Sequence, residues 1–219
     1  MKNYESRTSS ARQRDATTPP TAEATASRAE FVRRAIVAGG AAAAGGVLLA
    51  GLPRLASSAP GPQEDERIFN FILGLEYLKA AFYSEAAEGG ELDGEALRLA
   101  QVLSNHERAH VDFFRRQLGD AAGDEPSFDF GDATSNADRF LDSALLLEEN
   151  AVAAYVGQGA NLTRERMVPF GRIASVEGRH TAWVRDILGM NAAPLAADAA
   201  KTAREVTAAI EGTGFVTSG

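Results

Sequence analysis

Two glutamate–histidine pairs are the residues of this sequence best placed to do chemistry. Glu107 precedes His110 by three residues in NHERAHVDFF, and Glu177 precedes His180 by the same interval in ASVEGRHTAW. Residues three apart share one face of a helix, so each pair can direct a carboxylate and an imidazole to one point. A lone pair of this kind usually faces solvent. Here two of the chain's three histidines occur in the same motif, and this repetition favours a metal site.

Two further glutamates extend the pattern, because each precedes a tyrosine by seven residues. Glu76 and Tyr83 lie in EYLKAAFY, and Glu148 and Tyr155 lie in EENAVAAY. Each half of the chain therefore runs from Glu-x6-Tyr through a turn to Glu-x-x-His, which indicates an internal duplication of a helical hairpin. Glu149 is the alternative to Glu148. We choose Glu148 because it keeps the seven-residue interval, and we expect Glu149 to face solvent.

Four glutamates that meet inside a protein require cations. A buried carboxylate is costly unless it is paired or bound to metal, and several carboxylates together repel one another. Two divalent cations would balance the four negative charges, and one neutral imidazole would complete the shell of each ion. Oxygen and imidazole donors without sulfur suit iron or manganese. The candidate dinuclear site consists of Glu76, Glu107, His110, Glu148, Glu177 and His180.

The apolar residues predict that helices position these groups. From residue 65 onward they recur at intervals of three and four, as one helix face requires, with almost no strand alternation. In each of four such stripes a carboxylate interrupts the middle of the apolar face. Glycines provide the stop signals. The predicted helices cover residues 65–88, 93–118, 135–159 and 163–188.

The connections between the helices define the predicted topology. Short turns join the first helix to the second and the third to the fourth, whereas the longer segment AAGDEPSFDFGDATS separates the second from the third. This order predicts an all-α four-helix bundle with one long crossover connection. Asp93 is the predicted N-cap of the second helix, and Ser135 with Asp138 resembles a capping box at the third. Pro169 is expected to kink the fourth helix or shift its start, and a short C-terminal helix over 196–211 is expected to pack on the bundle.

Composition excludes several classes of function. The chain has no cysteine, which rules out disulfides, zinc–thiolate sites, iron–sulfur clusters and cysteine nucleophiles. Its formal charge of −8 argues against binding to a phosphate backbone, so no nucleic-acid partner is expected. No glycine-rich phosphate loop or G-x-S-x-G elbow is present.

The N-terminal residues differ from the rest and predict an export signal. Residues 1–27 are rich in Ser, Thr, Ala and Pro, and Arg33 and Arg34 then precede an apolar run over 35–52 that is followed by small residues. The paired arginines resemble a twin-arginine signal, with cleavage expected near 56–59. An uncleaved membrane anchor and a disordered linker are the alternatives. We therefore divide the chain into a leader over 1–59, a bundle over 60–190 and a short helix and tail over 191–219.

At these motifs the chain resembles the ferritin-like superfamily, and more narrowly the bacterial ferritin-like domain proteins grouped with desiccation-related proteins. The resemblance rests on LGLEYLKAAFYSEA, NHERAHVDFF, LEENAVAAY and ASVEGRHTAWVRDILG and covers about residues 64–190. It implies that the six residues of the candidate site are metal ligands and that Glu107 and Glu177 bridge two ions. Oxygen-activating relatives commonly place an aspartate before the Glu of Glu-x-x-His. His106 and Val176 stand there, which argues against strong oxygenase or radical-generating activity.

Four other residues near the motifs receive structural roles. We expect Tyr83 and Tyr155 to be core tyrosines with hydrogen-bonded hydroxyls, with donation to the metal ligands and redox activity as the alternatives. We expect His106 to lie on the surface and not to face the metal, and Trp183 to pack in the core.

The sequence thus favours an exported dinuclear-metal protein with two divalent ions, iron rather than manganese. Oxidation of Fe(II), or reaction with dioxygen or peroxide in stress protection, is the expected chemistry. The sequence does not decide whether the protein is an enzyme; if it is, a di-iron or di-manganese oxidoreductase is the expected class. The alternatives are a metal-binding protein without turnover and a metal-free envelope or stress-protective scaffold. The expected partners are metal ions and the twin-arginine export machinery, with no membrane partner for the mature domain, and homo-oligomers are left open.

Overall fold

Four long helices and one short one account for most of the computed structural model, which describes residues 60–218. The predicted export signal over 1–59 lies outside the described residues. The helices are α1 (Pro62–Gly89), α2 (Gly94–Leu118), α3 (Ala137–Gly159), α4 (Arg164–Ile187) and α5 (Ala203–Glu211), with a single 3-10 turn over Gly119–Ala121.

The prediction of an all-α bundle with one long crossover is confirmed. α1 packs most extensively on α2 and α3 on α4, so the bundle consists of two helical hairpins joined by the segment between Leu118 and Ala137. Each long helix buries its apolar stripe, as the intervals of three and four require. None of the helices in the described part of the chain combines the length and the hydrophobicity needed to cross a membrane.

A short antiparallel strand pair ties the crossover segment to the C-terminal tail, a feature that the sequence did not indicate. β1 (Ser127–Phe128) pairs with β2 (Val216–Ser218), and the Asp129 amide donates to the Phe215 carbonyl at 2.8 Å. Aromatic packing holds this pair against the bundle, because the ring of Phe130 lies 5.3 Å from Phe215 and 5.4 Å from Phe82.

The predicted start of the third helix is wrong by two residues. The N-cap of α3 is Asn136, whose side-chain oxygen accepts a hydrogen bond from the Arg139 amide at 3.1 Å. Ser135 instead belongs to the preceding turn, where its amide donates to the Asp132 carbonyl. Asparagine and serine are about equally favourable N-caps, so the local sequence allows the helix to begin after either residue. The hydrogen-bonded turn that contains Ser135 leaves Asn136 as the N-cap.

The C-terminal helix also begins later than predicted, at Ala203 instead of 196. Thr202 and Glu205 form a capping box that fixes this start, since the side chain of each residue bonds the backbone amide of the other. The preceding Lys201 docks on α3 through its amide, which donates to the Ala153 carbonyl at 3.0 Å. A Cβ atom at Gly157 would lie only 1.9 Å from the Lys201 carbonyl oxygen, so glycine is required for this close approach.

The fourth helix passes through Pro169 without a shift of its start. Thr163 is the N-cap of α4, and both its amide and its hydroxyl donate to the buried carboxylate of Asp65, at 2.8 and 2.6 Å. This contact anchors the beginning of α4 to the first turn of α1. The missing amide of Pro169 therefore removes one hydrogen bond inside a helix whose first turn is already fixed.

Two aromatic clusters fill the core on either side of Glu76 along α1. One surrounds Phe69, whose ring lies 5.1 Å from Phe114 and 6.0 Å from Phe170. The other surrounds Phe82, which stacks on Phe140 at 5.3 Å. Apolar packing above and below thus leaves a central layer in which the polar side chains of the bundle meet.

Candidate metal centre

Each of the four long helices sends a glutamate into this central layer. All four carboxylates are completely buried, and the two histidines that follow on α2 and α4 are buried as well. The structure therefore brings together all six residues of the predicted site: Glu76 from α1, Glu107 and His110 from α2, Glu148 from α3, and Glu177 and His180 from α4.

The donor atoms form two overlapping groups, and within each group they lie within 4.8 Å of one another. The first group combines Glu76 and His110 with Glu107 and Glu177, and the second combines Glu148 and His180 with the same two glutamates. Nδ1 of each histidine faces the shared residues, since His110 lies 3.1 Å from Glu107 Oε2 and 3.0 Å from Glu177 Oε1. Two positions that share two carboxylates are the arrangement expected of a dinuclear site.

Buried polar atoms that make ion-pair contacts but no hydrogen bonds indicate that this donor set fits metal ions. One oxygen of each glutamate and the Nδ1 atom of His180 are buried without a hydrogen-bond partner. His180 Nδ1 does lie 3.0 Å from Glu107 Oε1, but the contact lacks hydrogen-bonding geometry. Buried polar atoms without partners are rare because each loses its solvation. If divalent ions bind here, these oxygen and imidazole atoms would hold them, and no sulfur is needed.

Lys79 is the residue of this centre that the sequence interpretation missed. Its side chain is only 1% exposed, and its Nζ lies 3.0 Å from Glu107 Oε2, 3.4 Å from Glu76 Oε2 and 3.8 Å from Glu148 Oε2. It also forms an ion pair with Glu177. A signal was present, because Lys79 follows Glu76 by three residues and so shares its helix face.

The charges of the cluster shift the pKa values of its members strongly. Burial lowers the pKa of Lys79, but the surrounding carboxylates, Glu107 foremost, outweigh it and raise that pKa well above its usual value. Burial also opposes ionisation of Glu107, yet Lys79 and both histidines hold its pKa well below its usual value. For Glu76 and Glu148 burial prevails and raises the pKa. Of these three glutamates, Glu107 is therefore the one whose ionised form is favoured, because Lys79 and both histidines lie beside it.

In the metal-free form the surrounding carboxylates favour protonation of both histidines. Burial lowers their pKa values, but the carboxylates close to their Nδ1 atoms, Glu107 first, raise the pKa of His110 to about 12 and that of His180 to about 10. A metal ion that binds these imidazoles has to displace their protons, so binding is coupled to proton release.

The two tyrosines connect the aromatic clusters to the carboxylates. Both are core residues with hydrogen-bonded hydroxyls, as predicted, and their partners are residues of the candidate site. Tyr83 donates to Glu148 Oε1 at 2.7 Å, and Tyr155 donates to Glu76 Oε1 at 2.8 Å. Each tyrosine thus orients the glutamate of the other hairpin, leaving that glutamate's second oxygen to face the centre. The alternative role, in which the tyrosines donate hydrogen bonds to the proposed metal ligands, also agrees with these contacts.

His106 lies on the surface, as predicted, but it also contacts the site. Its Nδ1 atom is 2.9 Å from Nε2 of His180, and the two rings stack with centroids 5.2 Å apart. Burial and the nearby His180 lower the pKa of His106, so a neutral ring can accept the Nε2 proton of His180. That bond leaves Nδ1 of His180 directed at the carboxylates. Sequence spacing does not indicate this contact, because it joins two helices.

The remaining two assignments agree with expectation. The side chain of Glu149 is 40% exposed and pairs with Arg185 outside the centre, which supports the choice of Glu148. Trp183 is partly buried against the core, and the guanidinium of Arg98 lies 5.7 Å from its ring.

These features define a class: a helical bundle with a buried carboxylate–histidine cluster able to bind metal. Comparison with known families places the chain within that class, because the profile described as the ferritin-like domain matches residues 64–190. The chain belongs to the ferritin-like domain family. A search of curated proteins finds no match.

Proposed function

We propose that this protein is an exported metal-binding protein whose buried site holds two divalent ions, iron in preference to manganese. The observation that carries the proposal is the pair of overlapping donor groups that share Glu107 and Glu177. Membership of the ferritin-like family supports it. When bound, such ions would supply redox chemistry toward Fe(II), dioxygen or peroxide, while the protein supplies fixed carboxylates that are buried from solvent.

Glutamine at position 148 tests whether the second group holds an ion. Glu148→Gln removes a charge from that group alone, so we expect metal content to fall from two ions per chain to one. Glu149→Gln is the matched control, because Glu149 is the neighbouring residue and pairs with Arg185 outside the centre. Both variants and the wild type are loaded anaerobically with Fe(II) or Mn(II), desalted and analysed for metal. Equal metal content in all three proteins would show that Glu148 is no ligand.

Turnover is measured on the same samples. Metal-loaded wild-type protein that oxidises added Fe(II) or consumes peroxide has the proposed activity. If it retains its ions and does neither, it is a metal-binding protein without turnover.

A metal-free scaffold is the second candidate function, and Lys79 is the observation that favours it. The ammonium of Lys79 and the two imidazoliums supply three positive charges against four carboxylates. A wild-type protein that takes up neither iron nor manganese and keeps its thermal stability in their presence would support this candidate.

Export is the part of the proposal that rests on residues 1–59. Replacing Arg33 and Arg34 by lysine is expected to retain the protein in the cytoplasm, because a twin-arginine signal is recognised by a receptor through the arginine pair. Arg28→Lys, an upstream change of the same type, serves as the control. Cell fractionation locates each protein, and N-terminal sequencing of exported material locates the cleavage site. If the double variant is exported as well as the wild type, the twin-arginine assignment is wrong.

A further inference from the structure

Lys79 is the one charged residue of the centre to which the proposed metal site gives no role. It is as deeply buried as the glutamates, and its Nζ lies within 3.8 Å of a carboxylate oxygen from every long helix. No other lysine or arginine in the described part of the chain is classed as buried. The position of the ammonium is therefore a specific feature of this centre.

The choice of lysine at this position fits a central cation. The chain contains only three lysines, at positions 2, 79 and 201, and its other basic residues are arginines. An ammonium is a compact charge with three donors on a flexible stem, whereas a guanidinium is a rigid planar fork whose donors all lie in one plane. Lysine can therefore reach four carboxylates that approach from four directions.

The duplication of the hairpins does not extend to this cation. In the second hairpin the residue three positions after Glu148 is Ala151, which is equally buried. A small apolar side chain is thus accommodated at the equivalent position. Lys79 is an addition to one half of an otherwise repeated arrangement.

The oxygen atoms that Lys79 contacts belong to the donor set of the proposed metal ions. The ammonium lies 3.0 Å from Oε2 of Glu107, a residue shared by both donor groups, and pairs with Glu177, the other shared residue. A divalent ion and an ammonium that approach the same carboxylates repel each other and compete for the same space.

We propose that Lys79 is a resident countercation, which holds the four carboxylates together in the metal-free protein and competes with divalent ions for them. Without metal, an uncompensated cluster of buried carboxylates would destabilise the bundle. With metal, the ammonium has to leave the shared glutamates. This inference rests on the proposed metal site and adds a residue that sets its affinity.

Lys79→Met tests both halves of the inference, because methionine keeps the length of the side chain and removes its charge. Titration with Mn(II), which does not oxidise readily, is expected to give an affinity at least about tenfold higher than that of the wild type. The metal-free variant is expected to unfold at a lower temperature than the metal-free wild type. Lys201→Met is the matched control, since Lys201 contacts Asn150 away from the centre, and it should bind Mn(II) as the wild type does.

A second measurement uses the unmodified protein and so does not depend on the folding of the variant. With 15N-labelled lysine, the buried Lys79 ammonium should give its own NMR signal, and saturation with diamagnetic Zn(II) should shift or remove it. The Lys201 signal should not change. A Lys79 signal that is unaffected by saturating Zn(II) would contradict the proposed competition between Lys79 and divalent ions.

The outcomes separate this inference from the metal site on which it rests. If wild type and Lys79→Met bind Mn(II) equally well and unfold at the same temperature, Lys79 is no countercation and the metal site stands. If neither protein binds Mn(II) or Zn(II), the proposal of a metal site is wrong, and so is the proposed competition for it.

Discussion

Replacing Glu107 by glutamine is expected to remove both metal ions from the protein. Glu107 belongs to both donor groups, whereas Glu76 and Glu148 each belong to one. Loss of its charge therefore weakens the binding of both ions at once. Removal of an outer partner of a metal ligand commonly lowers affinity 10- to 100-fold, and we expect loss of this shared carboxylate to exceed about 100-fold.

The control for this variant lies on the same helix. Glu95→Gln changes an exposed glutamate in the first turn of α2, where its carboxylate faces Arg98 at 3.5 Å. Metal content after anaerobic loading, together with circular dichroism to verify folding, compares the two variants with the wild type. A folded Glu107→Gln protein that retains two ions would remove the main support for a shared dinuclear centre.

Replacing Phe82 by alanine is expected to lower the free energy of unfolding by about 3–5 kcal/mol. Phe82 is completely buried, and its ring contacts Phe140 on α3, Phe130 in the crossover segment and Phe215 in the tail. The substitution leaves a cavity where three otherwise separate parts of the chain meet. These neighbours are aromatic and belong to different segments, so they cannot close the space together.

Urea denaturation of the metal-free protein, followed by circular dichroism, measures this loss. Val168→Ala is the control, because its side chain is 61% exposed and its truncation is expected to change stability by less than about 0.5 kcal/mol. A loss below about 1 kcal/mol for Phe82→Ala would show that the crossover segment and tail do not pack on α1 as described.

The fold and the proximity of the six polar residues could be predicted because the helical spacing of the apolar residues agrees with the duplicated spacing of the glutamates. Apolar residues at intervals of three and four specify one buried face for each helix, and the glutamates occupy the middle of those faces. The duplicated spacing then relates Glu76 to Glu148 and Glu107 to Glu177. Once the faces and the hairpin order are known, the four stripes and their glutamates have to meet in the core of the bundle.

Features that depend on contacts between helices could not be predicted in this way. A lysine on a helix usually extends its charge to solvent, so the spacing of Lys79 from Glu76 indicates a shared helix face but not burial among four carboxylates. The contact of His106 with His180 and the glutamate that each tyrosine reaches depend on how the hairpins pack. The late start of α5 has a local cause, since an alanine-rich segment fits a helix from 196 but the capping box at Thr202 selects another start.

The crossed tyrosine hydrogen bonds have a consequence for the order of folding. Tyr83 and Glu148 are 65 residues apart, and Tyr155 and Glu76 are 79 apart, so each bond joins one hairpin to the other. A single hairpin, whose local contacts are expected to form first, completes neither donor group and lacks the tyrosine that orients its glutamate. The centre therefore comes into existence only when the two hairpins associate, after Glu177 and His180 have been synthesised. A nascent or half-folded chain has no complete site to fill, so under the proposed function we expect metal uptake only by protein that has finished folding.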